Sequence, residues 1–114
     1  MKAYTSIEQS KKIAEILPLE SADGYWFKGF PSQPYMVYTK GTPNPGEHIS
    51  CWSLATLINI INENYYTTLY HDGVAWNIDI IHHDNVKEKH SVYANTPVDA
   101  CYEILLKLYK RNLL

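Results

Sequence analysis

A chain of 114 residues, 46% of them apolar and with a formal charge of −2, can bury a core without metal or disulfide support and is expected to form one domain over residues 1–114. Ten basic residues against twelve acidic ones provide no basic face for a phosphate backbone, so nucleic acid is not the expected partner. Ten tyrosines and three tryptophans against two phenylalanines suit positions that are apolar on one side and wet on the other, as in half-buried sheets and interfaces.

The segment Met1 to Glu8 has no apolar core before a charged helix begins, and no run is long enough to cross a bilayer. The expectation is therefore no secretory signal, no membrane partner and a reducing cytoplasm. The first element is a helix from Ile7 to Leu17. Thr5 with Glu8, or Ser6 with Gln9, gives the capping-box spacing. Ile7, Ile13, Ala14, Ile16 and Leu17 supply an apolar side, while Lys11, Lys12 and Glu15 face water. Pro18 ends the helix, because the residue before a proline is pushed out of the α region.

Leu19 to Gly24 reads as a turn. Tyr25-Trp26-Phe27 and Tyr35-Met36-Val37-Tyr38 follow as two short strands of residues that fit a pleated surface. Between them Lys28 to Pro34, with two prolines and a glycine, is a loop in which Phe30 is exposed. Lys40 to His48 is the clearest loop, where mobility is expected.

The central apolar run holds Leu54, Leu57, Ile58 and Ile61 at the spacing of a helix facing a core. Ser50 or Ser53 can cap it. Ser53 is preferred, since Trp52 then lies outside the helix and staples against Leu57, making Trp52 the hub beneath the other elements. Tyr65 to Tyr70 is a strand, and His71-Asp72-Gly73 a hairpin turn. Val74 to Ile81 returns with Trp76, Ile78 and Ile80 on one face, Asn77 and Asp79 on the other. His82 to Asn85 turns again into a third strand, Glu88 to Ala94. The last helix opens on Thr96-Pro97-Val98-Asp99, with Thr96 as cap and Pro97 at the first position, where its missing N–H costs nothing. Cys101, Ile104, Leu105 and Leu108 form its apolar stripe. The fold class is α+β: helix, short β pair, central helix, three-stranded antiparallel meander, C-terminal helix.

Chemistry-bearing motifs are sparse. His82-His83-Asp84, His71-Asp72 and His90 are the histidines a metal could use. Zinc needs three or four ligands, and adjacent strand residues point to opposite faces. His71, His83 and His90 form the candidate polar cluster. Cys51 lies close in sequence to His48, and Cys101 sits on an apolar stripe, so buried thiols are the expectation for both. Glu20 and Asp23 have no defining spacing, and no phosphate loop or zinc ribbon occurs. The expectation is a protein that is not an enzyme, with no catalytic residue, cofactor or metal ligand. What remains is binding, with Tyr25, Trp26, Tyr35, Tyr66, Tyr70, Asn77 and Asp79 as candidate interface.

Four stretches, Glu8 to Lys12, Glu20-Ser21-Ala22-Asp23, Trp52-Ser53-Leu54 and Thr96-Pro97-Val98-Asp99-Ala100, together resemble an uncharacterised group of small cytoplasmic proteins. These come from gut Bacteroides-type bacteria and their prophages or mobile elements. The resemblance spans nearly the whole chain and implies no activity. Gly24 departs from it, since a bulky residue is expected there in the group. The helix start after a meander also resembles the small domain of HicB-type antitoxins, a likeness of fold alone. The expected function is protein–protein contact, as a homodimer. The alternatives are an antitoxin-like or nucleic-acid-associated accessory protein, with Lys87, Lys89, Lys107, Lys110 and Arg111 on one face, or a hydrolase or metal-binding protein using the histidines.

Overall fold

The computed structural model describes residues 2–28, 35–39 and 47–114. The loop readings for 29–34 and 40–46, including the exposed Phe30, lie outside the described residues. Among the described residues, two three-stranded antiparallel sheets and three α-helices make the α+β fold.

Ser6, one of the two offered caps, starts α1 (Ile7–Ile13). Gln9 N–H donates to Ser6 Oγ at 3.1 Å and Ser6 N–H donates back to the Gln9 side chain at 3.0 Å, which is a complete capping box. The helix is shorter than expected and ends at Ile13. Beyond it Glu15 and Ile16 bond to carbonyls three residues back, a tighter winding that closes the last turn ahead of Pro18. Leu19–Ser21 forms a single 3-10 turn.

The expected β pair is a three-stranded sheet. Strands β1 (Gly24–Lys28), β2 (Met36–Thr39) and β3 (Glu47–Cys51) lie in the order β2-β1-β3. The end of the breaker block and the start of the apolar run, read as loop and helix approach, are this third strand. Its register sets Ile49 opposite Trp26 and Cys51 opposite Gly24, so cross-strand pairing with β1 decides the conformation and local propensity does not. Gly24 is required by close packing. A Cβ there would stand 2.8 Å from Tyr4 Cε1, 3.1 Å from Tyr38 O and 3.2 Å from Cys51 Sγ.

Helix α2 (Leu54–Asn62) is capped by Ser53, whose Oγ accepts from Thr56 N–H at 3.3 Å. Asp23 grips the same residue, accepting from Ser53 N–H at 2.8 Å and from its hydroxyl. Trp52 and Leu57 are both fully buried in one core with Ile13, Ile78, Ile104 and Leu105. Trp52 Nε1 donates to Ser21 Oγ at 2.9 Å, so burying the indole leaves its one polar atom satisfied.

The meander forms as its alternation indicates: β4 (Tyr65–His71), β5 (Trp76–His82) and β6 (Lys89–Ala94), with β5 central. Helix α3 (Pro97–Lys110) starts at Thr96, which accepts from Asp99 N–H at 3.1 Å. The N-terminal segment and α1 tie the parts together. Lys2 Nζ lies 2.7 Å from Asp99 Oδ1, and Gln9 Nε2 donates to the same oxygen at 2.7 Å. Burial works against the Asp99 carboxylate, but Lys2, Gln9 and Thr96 outweigh it and hold its pKa below the ordinary value. Among the described residues no helix is long and apolar enough to cross a membrane.

Candidate functional site

The phase of β5 is set by one bond at each side. His82 N–H donates to Glu88 O at 3.0 Å on the β6 side, and His83 N–H to Asn64 O at 2.9 Å on the β4 side. Along each strand successive side chains alternate between the two faces of the sheet. The inner face carries Ile78 and Ile80, fully buried, with Tyr65, Leu69, Val92 and Ala94 around them. Helices α2 and α3 pack there. The outer face has three rows: Tyr70–Asn77–Tyr93, Thr68–Asp79–Ser91 and Tyr66–Ile81–Lys89.

This outer face is open. Tyr66 is 66% exposed, Tyr70 42% and Tyr93 74%. Large aromatic surface left in water on a regular sheet is uncommon without a partner. The Tyr66 ring leans on His83 at 4.5 Å. Asp79 carries the negative charge of the middle row, and its field raises the pKa of the Tyr70 phenol. Asn77 belongs to the fold instead: its amide donates to Asp72 Oδ2 at 2.9 Å and Ala75 O at 3.2 Å, bracing the hairpin tip.

The seven residues expected to form one interface are thus divided. Tyr66, Tyr70, Asn77 and Asp79 share the outer face of the second sheet. Tyr93, whose place there depends on the β5–β6 register, was missed. Tyr25 stands on the outward face of the first sheet, stacked on Tyr38 at 5.7 Å with Phe27 edge-on to Tyr38 at 5.7 Å. Trp26 faces inward, and its Nε1 donates to Thr5 O at 2.9 Å, so it is part of the structural frame. Tyr35 precedes β2, with Lys28 Nζ 5.3 Å from its ring centre.

The candidate polar cluster does not assemble. His71 pairs with Trp76 and His90 with Ile80, four positions apart along β5, or about 13 Å. His83 lies past the far end of β5, against Tyr66. Among the described residues no three His, Cys, Asp or Glu side chains are grouped to hold a metal. His48 and Cys51 are three positions apart on β3 and so point to opposite faces. Burial, with Asp23 adding to it, pushes the Cys51 thiol up to about 12, and burial alone does the same to Cys101. Lys89 stands on the outer face while Lys107 rises from α3 on the inner side, so the five cations of the nucleic-acid alternative are not on one face.

A different polar group forms at the end of the inner face. The Tyr65 hydroxyl donates to Glu88, and His90 Nε2 lies 3.3 Å from Glu88 Oε2. The hydrogen bond from Tyr65, helped by His90, lowers the Glu88 pKa, while burial and Glu88 together push Tyr65 up to about 12. His90 is 5% exposed, and its Nδ1 has no hydrogen-bond partner among the described residues. The available sequence signal was the spacing of Glu88 and His90, two apart where β6 begins.

An open depression of about 640 Å³ follows the free side of β6, bounded by Ser91, Tyr93, Asn95, Gln9, Asp99 and Glu103. Tyr93 belongs to both this depression and the outer face. No protein-family model, curated protein or solved structure matches the chain.

Proposed function

We propose that this protein is a polypeptide-binding module whose docking surface is the outer face of the second sheet. The observation that carries the reading is the trio Tyr66, Tyr70 and Tyr93, 66, 42 and 74% exposed on a face that none of the described helices covers. Each phenol offers an apolar ring and a hydrogen-bonding tip at low conformational cost. Thr68, Asp79 and Ser91 between them add short polar groups. Exposed tyrosines are enriched at protein-contact surfaces, and tyrosine anchors set among short hydroxyl side chains are the pattern of antibody paratopes. A reducing cytoplasm fits the two cysteines, which are buried and unpaired.

The test is site-specific photocrosslinking in cells, with benzoylphenylalanine at Tyr70 and, as a control, at exposed Lys11 on α1. The expected result is a discrete protein adduct from position 70, absent at position 11 and lost when Tyr66 and Tyr93 are both changed to serine. Equal adducts from the two positions, or an adduct removed by nuclease, would overturn the reading.

A further inference from the structure

We propose that β6 is a self-association edge: two copies of this chain join by antiparallel β6–β6 pairing centred on Ser91, making one continuous six-stranded sheet. The inference goes beyond the tyrosine-face reading and does not rest on it, because pairing in the plane of the sheet leaves Tyr66 and Tyr70 open and engages Tyr93 alone of the three.

The backbone phase comes first. In an antiparallel pair, residues alternate between those that bond to the neighbouring strand and those that turn both polar groups away. The His82 N–H to Glu88 O bond assigns Glu88, and by alternation His90, Val92 and Ala94, to β5. Lys89, Ser91 and Tyr93 therefore direct their N–H and C=O groups outward. An independent contact agrees: Lys107 Nζ reaches Ser91 O from outside the sheet, at 3.4 Å. At that length the bond is weak. Lys107 thus acts as a loose cover on the centre of the edge.

The edge is also accessible. The depression of about 640 Å³ runs along it, lined by Ser91 and Tyr93 of β6 and by Asp99 and Glu103 of α3. Pairing with β5 is continuous from Lys89 to Ala94, without a bulge or a proline. Bulges and prolines are two of the devices that protect an edge strand; this one carries only Lys89 and the loose Lys107 contact.

Charge decides the occupant. A two-fold axis at Ser91 sets Lys89 across from Tyr93 of the partner subunit, and the same contact repeats in reverse. An ammonium beside an aromatic ring is a favourable cross-strand pair. Alongside the edge, α3 presents Glu103 and Lys107 one helical turn apart. Antiparallel apposition brings Lys107 to Glu103 of the partner subunit as it releases Ser91 O to the incoming N–H. Both pairs match under the same axis, a property an unrelated peptide would have only by chance.

The test uses the purified full chain. Sedimentation equilibrium should show a dimer. Ser91→Cys should form a disulfide-linked dimer under mild oxidation, because opposed bonded residues sit about 5.5 Å apart at Cα, within bridging range. Thr68→Cys, on β4, should not. Ser91→Pro removes an N–H that β5 does not use, so circular dichroism should be unchanged while the dissociation constant rises at least about tenfold. Lys107→Glu should weaken the dimer, and adding Glu103→Lys should restore it, which keeps the question open to decision if the proline variant does not fold. A chain that stays monomeric up to about 1 mM, a dimer indifferent to Ser91→Pro and to the charge swap, or equal crosslinking at positions 68 and 91 would overturn the proposal. Loss of the Tyr70 photoadduct alone leaves it standing. A monomeric Ser91→Pro protein that still gives that adduct separates the two surfaces.

Discussion

Thr5 and Trp52 hold each other through a reciprocal pair of hydrogen bonds. Thr5 N–H donates to Trp52 O at 2.9 Å, and Trp52 N–H donates to Thr5 Oγ1 at 3.2 Å. Both residues are fully buried, and the Thr5 hydroxyl also meets Ser10 Oγ at 2.7 Å. The N-terminal segment is thereby fixed against the entry to α2, where the first sheet meets the core. Trp52→Ala should cost roughly 3–5 kcal/mol, measured by urea unfolding. Thr5→Val, which strands the buried Trp52 N–H and takes one partner from Ser10 Oγ, should cost about 1–3 kcal/mol. A Trp52→Ala protein that unfolds like the parent would remove Trp52 from the centre of the core.

The cysteines should behave as interior thiols. With Cys51 and Cys101 both pushed up to about 12 by burial, a disulfide reagent at pH 8 should label neither in the native state and both in denaturant. The unfolded thiols ionise first, so their contribution to stability is complete below the ordinary value of 9 and falls as pH rises toward 12. Rapid native labelling of either thiol would contradict this burial.

Asp72 makes the hairpin tip sensitive to acid. Its carboxylate accepts from the N–H groups of Ala75 and Val74 and from the Asn77 amide, which hold its pKa at about 2 against an ordinary 3.8. That support is full above the ordinary value and is lost as pH falls through about 2. Amide shifts of Gly73 to Ala75 should titrate with a midpoint near 2 in the parent and stay flat across the same range in Asp72→Asn.

Gly24→Ala should destabilise by about 1–3 kcal/mol through overpacking, since the new methyl would lie 2.8 Å from the Tyr4 ring. Tyr4→Ala in the same chain should recover part of the loss. Additive effects in the double variant would show that the ring is not the obstacle.

Elements with chemical start and stop signals were legible in the sequence. Thr96-Pro97-Val98-Asp99 and Ser53 name their helix starts because a cap is a contact between residues three apart. The meander declares itself through the Asp-Gly turn and the alternation of Ile78 and Ile80 with Asn77 and Asp79. Strand β3 carries no such signal, and its residues pair with β1 residues 19 to 27 positions earlier. The tyrosine face was half legible for the same reason. Tyr66, Tyr70 and Asp79 could be placed by counting along strands, whereas Tyr93 joins them only through the register between β5 and β6. Trp26 and Tyr25 look alike in sequence, and only the parity of β1 separates the inward ring from the outward one.

The contacts of Asp99 with Lys2 and Gln9 also set an order of events as the chain is made. Gln9 and Asp99 are 90 residues apart, an interval of roughly 5–20 s at typical rates of synthesis. In that time α1, at seven residues, is too short to persist as a helix by itself. Helix α1, made before α2 and α3, is therefore among the last to settle, and Ile13 waits in an unfinished core until α3 emerges to complete it.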